Sequence, residues 1–376
     1  MHYLDHAATT PVSQEVAQTM VSVLTENFGN PSAQYALGRK AKDLTDRSRG
    51  VIAGALGARP EQIFFTSCGT EGDNWAIRAA LHQNRRVGKH IVTTAVEHSA
   101  VLQCVKHLEQ EGYAVTYVKP DGEGRISAEA VLETVREDTA VVSVMLVNNE
   151  TGAVFPVAEI AEGVKNKPAL LHTDAVQGFL KIPFTAKSLG ADYITLSAHK
   201  IGGPKGIGAL YVGGRAKNTL PLLFGGGQES GLRPGTEATA QIAGFAAAAR
   251  AAAADGSRLE RAAAVKEYTL TALKAALPKL EVISAGDAPH ICAVTLPGYK
   301  SEVIVRVLGD RGVCVSSGSA CHKGRPSHVF AAMGLPKPWL DGALRLSFSP
   351  DSTKEEADAL VSALKDAAGR LFTTLS

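Results

Sequence analysis

Short apolar runs alternate with amphipathic stretches between residues 62 and 212. Ile63-Phe64-Phe65 precedes residues 73–81, Ile91-Val92-Thr93 precedes 100–108, Val115-Thr116-Tyr117-Val118 precedes 128–135, and 141–147 precedes 157–164. Leu170-Leu171-His172, Tyr193-Ile194-Thr195-Leu196 and Ala209-Leu210-Tyr211-Val212 follow. Strand-like runs alternating with helical stretches predict an α/β fold, a mostly parallel sheet with helices on both faces. After Thr236 the pattern changes. Residues 238–254 and 259–277 are Ala-rich without strand signals, which predicts a long helix or a helix pair. Strand-like runs at 291–296 and 344–348 bracket a helical pattern at 303–308. A last helix is predicted from Ala357, Leu360, Val361, Leu364, Ala367, Ala368, Leu371 and Phe372 at helical spacing, with Thr353 and Glu356 as its capping box. The pattern therefore implies a large α/β domain, then a smaller α+β domain onto which the N-terminal segment folds back.

Composition narrows the classes. A chain of 376 residues suggests two domains. Lys and Arg number 39 against 37 Asp and Glu, so no basic footprint points to nucleic acid or to an acidic membrane. The start, Met1-His2-Tyr3-Leu4-Asp5-His6, has neither a basic region nor an apolar core. The longest apolar run, 140–147, falls far short of the roughly 20 residues of a membrane span. A soluble, cytoplasmic protein is the expectation. The five cysteines, Cys68, Cys104, Cys292, Cys314 and Cys321, are odd in number and lack Cys-x-x-Cys spacing, against both a disulfide framework and a zinc ribbon. Glycines cluster at 202–208, 225–227 and around Gly318. Such clusters mark either a backbone held close to a ligand or ordinary turns.

Several polar residues stand where chemistry is expected. Lys200 follows the apolar run at 193–196, beside His199 and ahead of the glycine-rich stretch. That is the carboxyl end of a strand, where α/β sheets bind ligands. Burial there would lower its pKa and free the amine to form a Schiff base, although a lysine in such a turn is also an ordinary solvated residue. Asp174 ends another run. It can hold a pyridinium nitrogen protonated, making pyridoxal phosphate (PLP) an electron sink, or it can cap a helix. Ser67-Cys68-Gly69-Thr70-Glu71 opens a helix after a strand, a natural phosphate cradle. His98 follows a third strand end and can stack on a ring or move protons. Cys321 lies in Ser316-Ser317-Gly318-Ser319-Ala320-Cys321-His322-Lys323-Gly324-Arg325, where small neighbours and three following basic groups favour an exposed thiol of lowered pKa. Cys314, Cys321, His322 and His328 match no common zinc spacing. Neither the P-loop nor the Gly-x-Gly-x-x-Gly motif is present in the sequence.

The ordered series Thr-Ser-x-Gly-Thr-Glu, Glu-His, Asn-Asn-Glu-x-Gly, Asp-Ala-x-Gln, Ser-x-His-Lys, Arg-x-Gly-Thr and Ser-Ser-Gly-Ser-Ala-Cys resembles the PLP-dependent cysteine desulfurases of the class V aminotransferase group, NifS/IscS branch. The resemblance runs from residue 3 to residue 347. It implies fold type I of the PLP-dependent transferases, with a seven-stranded, mostly parallel sheet. Residues 13–250 would form the large PLP-binding domain; 1–12 and 251–376 would form the small domain carrying the Cys321 loop. Lys200 would form the internal aldimine, Asp174 would pair with the pyridine nitrogen, and His98 would stack on the ring. Asn149 and Gln177 would bond the ring hydroxyl, Asn149 also touching substrate, while Gly69, Thr70, Ser197 and His199 would hold the phosphate. Thr236 is similar to the residue that reaches the phosphate from a partner subunit, implying a homodimer. Arg345 matches the arginine that clamps the substrate carboxylate. Cys321 matches the thiol that takes sulfur from L-cysteine, after which its loop would move out to deliver it. L-Alanine would be released, and the sulfur would go to a protein acceptor for iron–sulfur cluster or thio-cofactor synthesis. His98 is the expected acid in this scheme. Cys68 stands where small glycine-like residues are common. The alternative is another class V enzyme, an aminotransferase or a cystine or selenocysteine lyase; an aminotransferase would have no use for a mobile thiol at Cys321.

Overall fold

The computed structural model describes residues 1–317 and 327–371; Cys321 lies outside these. Strand β1 (His2–Tyr3) and helices α1 (Gln14–Thr25) and α2 (Ala36–Leu56) lead into the large sheet. Its strands are β2 (Ile63–Thr66), β3 (His90–Thr94), β4 (Ala114–Val118), β5 (Thr139–Ser143), β6 (Leu170–Asp174), β7 (Tyr193–Ser197) and β8 (Gly208–Val212). They lie in the order β2-β8-β7-β6-β5-β3-β4. Strands β4, β3, β5, β6 and β7 are mutually parallel, and β8 runs antiparallel to both β7 and β2. All seven strands overlap the apolar runs read from the sequence. The central strands β3, β5, β6 and β7 are buried at every position, as helices on both faces require. Because β2 and β7 are each antiparallel to β8, the carboxyl ends of β2, β3, β5, β6 and β7 share one edge of the sheet.

One strand is shorter than its apolar run. The run 141–147 suggests a single strand, but β5 stops at Ser143. Beyond it the chain turns back on itself: Val147 bridges Val154, and the Phe155 N–H donates to the Leu146 carbonyl. Residues 144–147 are buried in that return, so hydrophobicity alone could not mark the strand's end.

Helices α3 (Gly69–Gln83) and α4 (Ser99–Gln110) follow β2 and β3. Short helices α5 (Ala128–Leu132), α6 (Val157–Val164) and α7 (Ala186–Leu189) make further connections. The Ala-rich tract forms two helices, α8 (Thr239–Ala254), packed on α1 and α2, and α9 (Arg258–Ala276). A three-stranded antiparallel sheet then forms from β9 (Glu281–Ser284), β10 (Ile291–Thr295) and β12 (Ala343–Ser347), in the order β12-β10-β9. Between β10 and β12 come α10 (Ser301–Asp310), β11 (Val313–Cys314), α11 (His328–Ala332) and α12 (Lys337–Asp341). Helix α13 (Lys354–Arg370) starts with the reciprocal Thr353–Glu356 capping box. A separate hydrophobic cluster joins Leu4 to residues from Val265 onward, including Cys292, Ile304, Leu344 and Leu360. The N-terminal segment is tied there by parallel pairing of β1 with β11 and by a bridge from Asp5 to Ser347.

Candidate active site

The shared carboxyl edge of the sheet opens into a cavity of about 240 Å³. Ala7, Gly69, Thr70, Asp73, His98 and Asn149 line one part of it, and Asp174, Gln177, Ser197, His199, Lys200 and Arg345 the other. Eleven of the twelve residues singled out from the sequence are accounted for by two facts: ten of them line this one cavity, and Cys321 lies outside the described residues. Thr236 does not line it; this residue is exposed in the segment before α8.

Each side chain is placed by its element. Asp174 ends β6, buried, and its Oδ1 accepts from the Val176 N–H at 2.9 Å. Burial, and after it the nearby Asp73 carboxylate, holds its pKa above the usual carboxylate range. A pyridinium cation beside it would relieve that cost by supplying an opposite charge. His98 is the cap of α4, its Nδ1 accepting from the Ala100 N–H at 3.2 Å. A neutral ring whose Nδ1 accepts must carry its proton on Nε2. Burial lowers the His98 pKa, so the neutral form prevails. Lys200 follows β7 in a short 3-10 turn, and its Nζ donates to the Ala7 and Ala8 carbonyls at 2.6 and 2.8 Å. His199 pairs through Nδ1 with Thr9 Oγ1 at 3.1 Å, and burial with the Lys200 charge drives it down to about 3. Gln177 spends its amide on the frame, donating to the Ala7 carbonyl at 2.8 Å and accepting from Lys181 Nζ at 3.3 Å.

Arg345 projects from β12 and is 2% exposed. One terminal nitrogen donates to Asp5 Oδ1 at 2.7 Å, the other to the Asn149 carbonyl at 3.0 Å, and the buried Nε has no partner among the described residues. The guanidinium fork is thus fixed from behind with donors left over, which is what two-pronged recognition of a carboxylate requires.

The residues present fit PLP. Helix α3 begins at Gly69 with no side-chain cap, leaving first-turn N–H groups for an anion. A side chain at Gly69 would put its Cβ 2.8 Å from Val176 Cγ2, so only glycine keeps that approach open. Ser197 Oγ is buried without a partner beside it. Lys200 offers an amine, Asp174 an anionic partner, and His98 a flat ring.

Two features escaped the sequence reading. Asp73 is fully buried one turn into α3, and burial pushes its pKa up to about 7. It lies 3.4 Å from His172 Nε2, itself held down to about 4 by burial and bonded to Ser143 Oγ and Thr195 Oγ1. The signal was available: Asp73 shares the helical stripe of Ala76, Ile77 and Ala80, all fully buried. The second is Glu97, next to His98, whose Oε1 accepts from Thr94 Oγ1 and the Met145 N–H. Of the other thiols, burial pushes Cys104 up to about 11 and Cys292 to about 12, as inert core groups require. Cys68 lines the cavity as a free, partly exposed thiol.

The described ends of the segment 318–326 both stand at this site. Ser316 pairs with Arg345 through two backbone hydrogen bonds, Ser327 Oγ bonds Glu150 Oε2, and His328 Nε2 reaches the Glu97 carbonyl at 3.0 Å.

A lysine past β7, a carboxylate closing β6 and a helix N-terminus, gathered at one edge of such a sheet, define a PLP-dependent enzyme of fold type I. The family described as "Aminotransferase class-V" matches residues 2–360, and the chain belongs to it, within its NifS/IscS-like cysteine desulfurase branch. Cysteine desulfurase 2 of Trichormus variabilis is 41% identical over 374 residues, covering 98% of this chain and 93% of its own. A solved structure titled "NIFS-LIKE PROTEIN" superposes with a TM-score of 0.92 at 33% identity, covering 98% of this chain and 99% of that one. The structure of SspA in complex with cysteine gives 0.82 at 34% identity, over 94% of this chain and 100% of that one.

Proposed function

We propose that the protein is a cysteine desulfurase that converts L-cysteine to L-alanine and passes the sulfur to Cys321 as a persulfide. The observation that carries this reading is the convergence of Lys200, Asp174, His98 and Arg345 on one cavity, with both described ends of the Cys321 segment beside it.

Asp174, His98, Gly69, Thr70, Ser197, His199 and Gln177 would hold PLP, and Lys200 Nζ is the amine that would attach to its aldehyde. Bound there, PLP supplies an electron sink for charge developing at the substrate Cα. Arg345 fixes the substrate carboxylate and so orients the Cα–H bond, aided by Asn149. Lys200 Nζ, once free, takes and returns the Cα proton. The Cys321 thiolate attacks the substrate sulfur: an S–S bond forms, the C–S bond breaks, and Cβ gains a proton. His98 is the acid: it takes up the proton that the Cys321 thiol gives up and, as imidazolium, delivers it to Cβ. The balance is closed, cysteine plus thiol giving alanine plus persulfide, with no external oxidant or reductant. Holding thiolate and sulfur in one site supplies much of the rate.

The division into 13–250 as the large domain, with 1–12 and 251–376 as the small one, suits this reading. Arg345 and Cys321 then come from one body and Lys200 from the other. A homodimer is part of the proposal: Thr236 is exposed, and so are Leu223 and Phe224 shortly before it, Phe224 to 88%. The sulfur acceptor is proposed to be a protein of iron–sulfur cluster or thio-cofactor synthesis. A cytoplasmic setting agrees with the finding that, among the described residues, no helix is long and apolar enough to cross a membrane.

The test is to incubate PLP-loaded enzyme with cysteine and reductant and to measure alanine and sulfide together. Equimolar products without a keto acid are expected, and Cys321→Ala should retain PLP and yield little sulfide. A requirement for a keto-acid acceptor, or full sulfide release from Cys321→Ala, would overturn the reading.

A further inference from the structure

A second cavity, of about 420 Å³, shares Lys200 with the first but is built from different material. Helices α8 and α9 give it an apolar wall that includes Ala248, Ala252 and Leu259. Besides Lys200, the lining carries four basic side chains: Lys181, His290, His6 and, from the start of α9, Arg258.

These bases are buried and under-partnered. Lys181 is 6% exposed, and Gln177 Oε1 at 3.3 Å is one acceptor for three N–H groups. His290 is 3% exposed with neither ring nitrogen hydrogen-bonded, although a neutral ring presents one donor and one acceptor. His6 Nδ1 and one terminal nitrogen of Arg258 are likewise buried without partners. Folded proteins leave few such groups, so this many in one cavity points to a missing ligand.

The charges acting on Lys181 and His290 are of one kind. Those acting on Lys181 are Lys200, Arg258 and Arg345; those acting on His290 are Lys181, Lys266, Arg258 and His6. The carboxylates of this lining are engaged elsewhere or lie beside Arg258. Asp255 is bound by Arg261 and also acts, with Asp351, on Arg258, while Glu356 accepts from the Tyr3 and Thr353 N–H groups. The backbone contributes a further sign. Leu180, immediately before Lys181, has φ +57°, a left-handed conformation that side-chain-bearing residues adopt at a cost and that clusters at ligand sites.

We propose that this cavity binds a small organic carboxylate, its carboxylate group held by Lys181, His290 and Arg258 and its apolar body lying on Ala248, Ala252 and Leu259. An inorganic anion would leave the alanine-lined half of the wall against its hydration shell. An amino acid would bring its ammonium group among bases of the same sign. The volume lies within the range of ordinary small-molecule sites.

The experiment is calorimetric titration of PLP-loaded enzyme with butyrate, and separately with inorganic phosphate, at constant ionic strength. Saturable binding of butyrate, at one per chain and tighter than phosphate, is expected. Lys181→Met and His290→Phe should weaken it at least tenfold, and Arg345→Lys should leave it unchanged. No butyrate binding would mean a cavity filled by water and would overturn the proposal. Loss in Arg345→Lys with retention in Lys181→Met would assign the carboxylate to the active site and overturn it too. Tighter phosphate would refute the organic class. Should the two cavity variants fail to fold, crystals of the unaltered enzyme soaked in 4-bromobenzoate decide the matter by anomalous scattering. Bromine beside Ala248 and Ala252 supports the site, whereas bromine elsewhere or nowhere excludes it.

Discussion

Replacing Arg345 by lysine separates its observed structural task from the proposed one of binding the substrate carboxylate. The guanidinium holds Asp5 at 2.7 Å and the Asn149 carbonyl at 3.0 Å while keeping donors for a substrate carboxylate. Lysine keeps the positive charge and can still reach Asp5, so the ion pair that anchors the N-terminal segment survives. What it cannot do is donate in parallel to a carboxylate as well. Losing a hydrogen bond to a charged group costs about 1.5–3 kcal/mol. At a factor of ten per 1.4 kcal/mol, the KM for cysteine should rise about 10- to 100-fold. Stability should fall by about 1.5–3 kcal/mol, the worth of the lost bond from the charged guanidinium to the Asn149 carbonyl. Arg345→Ala, by contrast, strands Asp5 beside a buried site and should cost about 3–5 kcal/mol. The assay is steady-state alanine formation against cysteine concentration, paired with urea unfolding of each variant. An Arg345→Lys enzyme with unchanged KM and lowered stability would show that Arg345 bolts the fold and does not bind substrate.

Two further outcomes follow from buried groups. Burial raises the Glu97 pKa from an ordinary 4.5 to about 8, so between those values the unfolded chain has released a proton that the folded one keeps. Stability should therefore fall as pH rises from about 4.5 to 8, by up to about 1.4 kcal/mol per pH unit, and Glu97→Gln should remove one proton's worth of that slope in urea unfolding at pH 5, 6.5 and 8; an unaltered slope would refute the protonated state. At Gly72 a Cβ would stand 2.8 Å from Thr195 Cγ2 and 3.1 Å from its Oγ1. Gly72→Ala should push α3 off the sheet, destabilise the fold by about 1–3 kcal/mol and weaken PLP binding at Gly69, and undiminished PLP affinity by fluorescence titration would count against the cradle.

The large sheet was readable because each strand is a short apolar run bounded by polar turns, and central parallel strands are apolar on both faces. The residues at their ends, Asp174, His98 and Lys200, were readable for the same reason, since a polar group closing such a run stands at a ligand-binding edge. The end of β5 was not, because the chain after Ser143 stays buried while leaving the sheet. Lys181, His6 and His290 could not be grouped from sequence. They come from three distant segments, and only tertiary packing takes their partners away. Asp73 was within reach of helical periodicity but was hidden behind the more conspicuous Gly69-Thr70 turn.

The N-terminal segment shows how much of the site depends on a part of the chain that the sequence marked only as folding back onto the small domain and as the start of a resemblance. Asp5 fixes Arg345, and the Ala7 N–H donates to Ser347 Oγ at 2.8 Å, so β12 is held from two positions. The Ala7 carbonyl accepts from both Gln177 and Lys200, and the Ala8 carbonyl from Lys200 again. Thr9 orients His199, while Thr10 Oγ1 donates to the His199 carbonyl and accepts from the Gly202 N–H. Five residues between Asp5 and Thr10 thus tie Lys200, Gln177, His199 and Arg345 to one another. Net contributions of about 0.5–1.5 kcal/mol per bond make that strap a substantial fraction of a protein's marginal stability. Its consequence is geometric as well as energetic. Lys200 follows the last parallel strand of the large sheet and Arg345 lies in the small one, and the strap fixes the distance between the amine and the guanidinium that, in the proposed function, serve the same substrate.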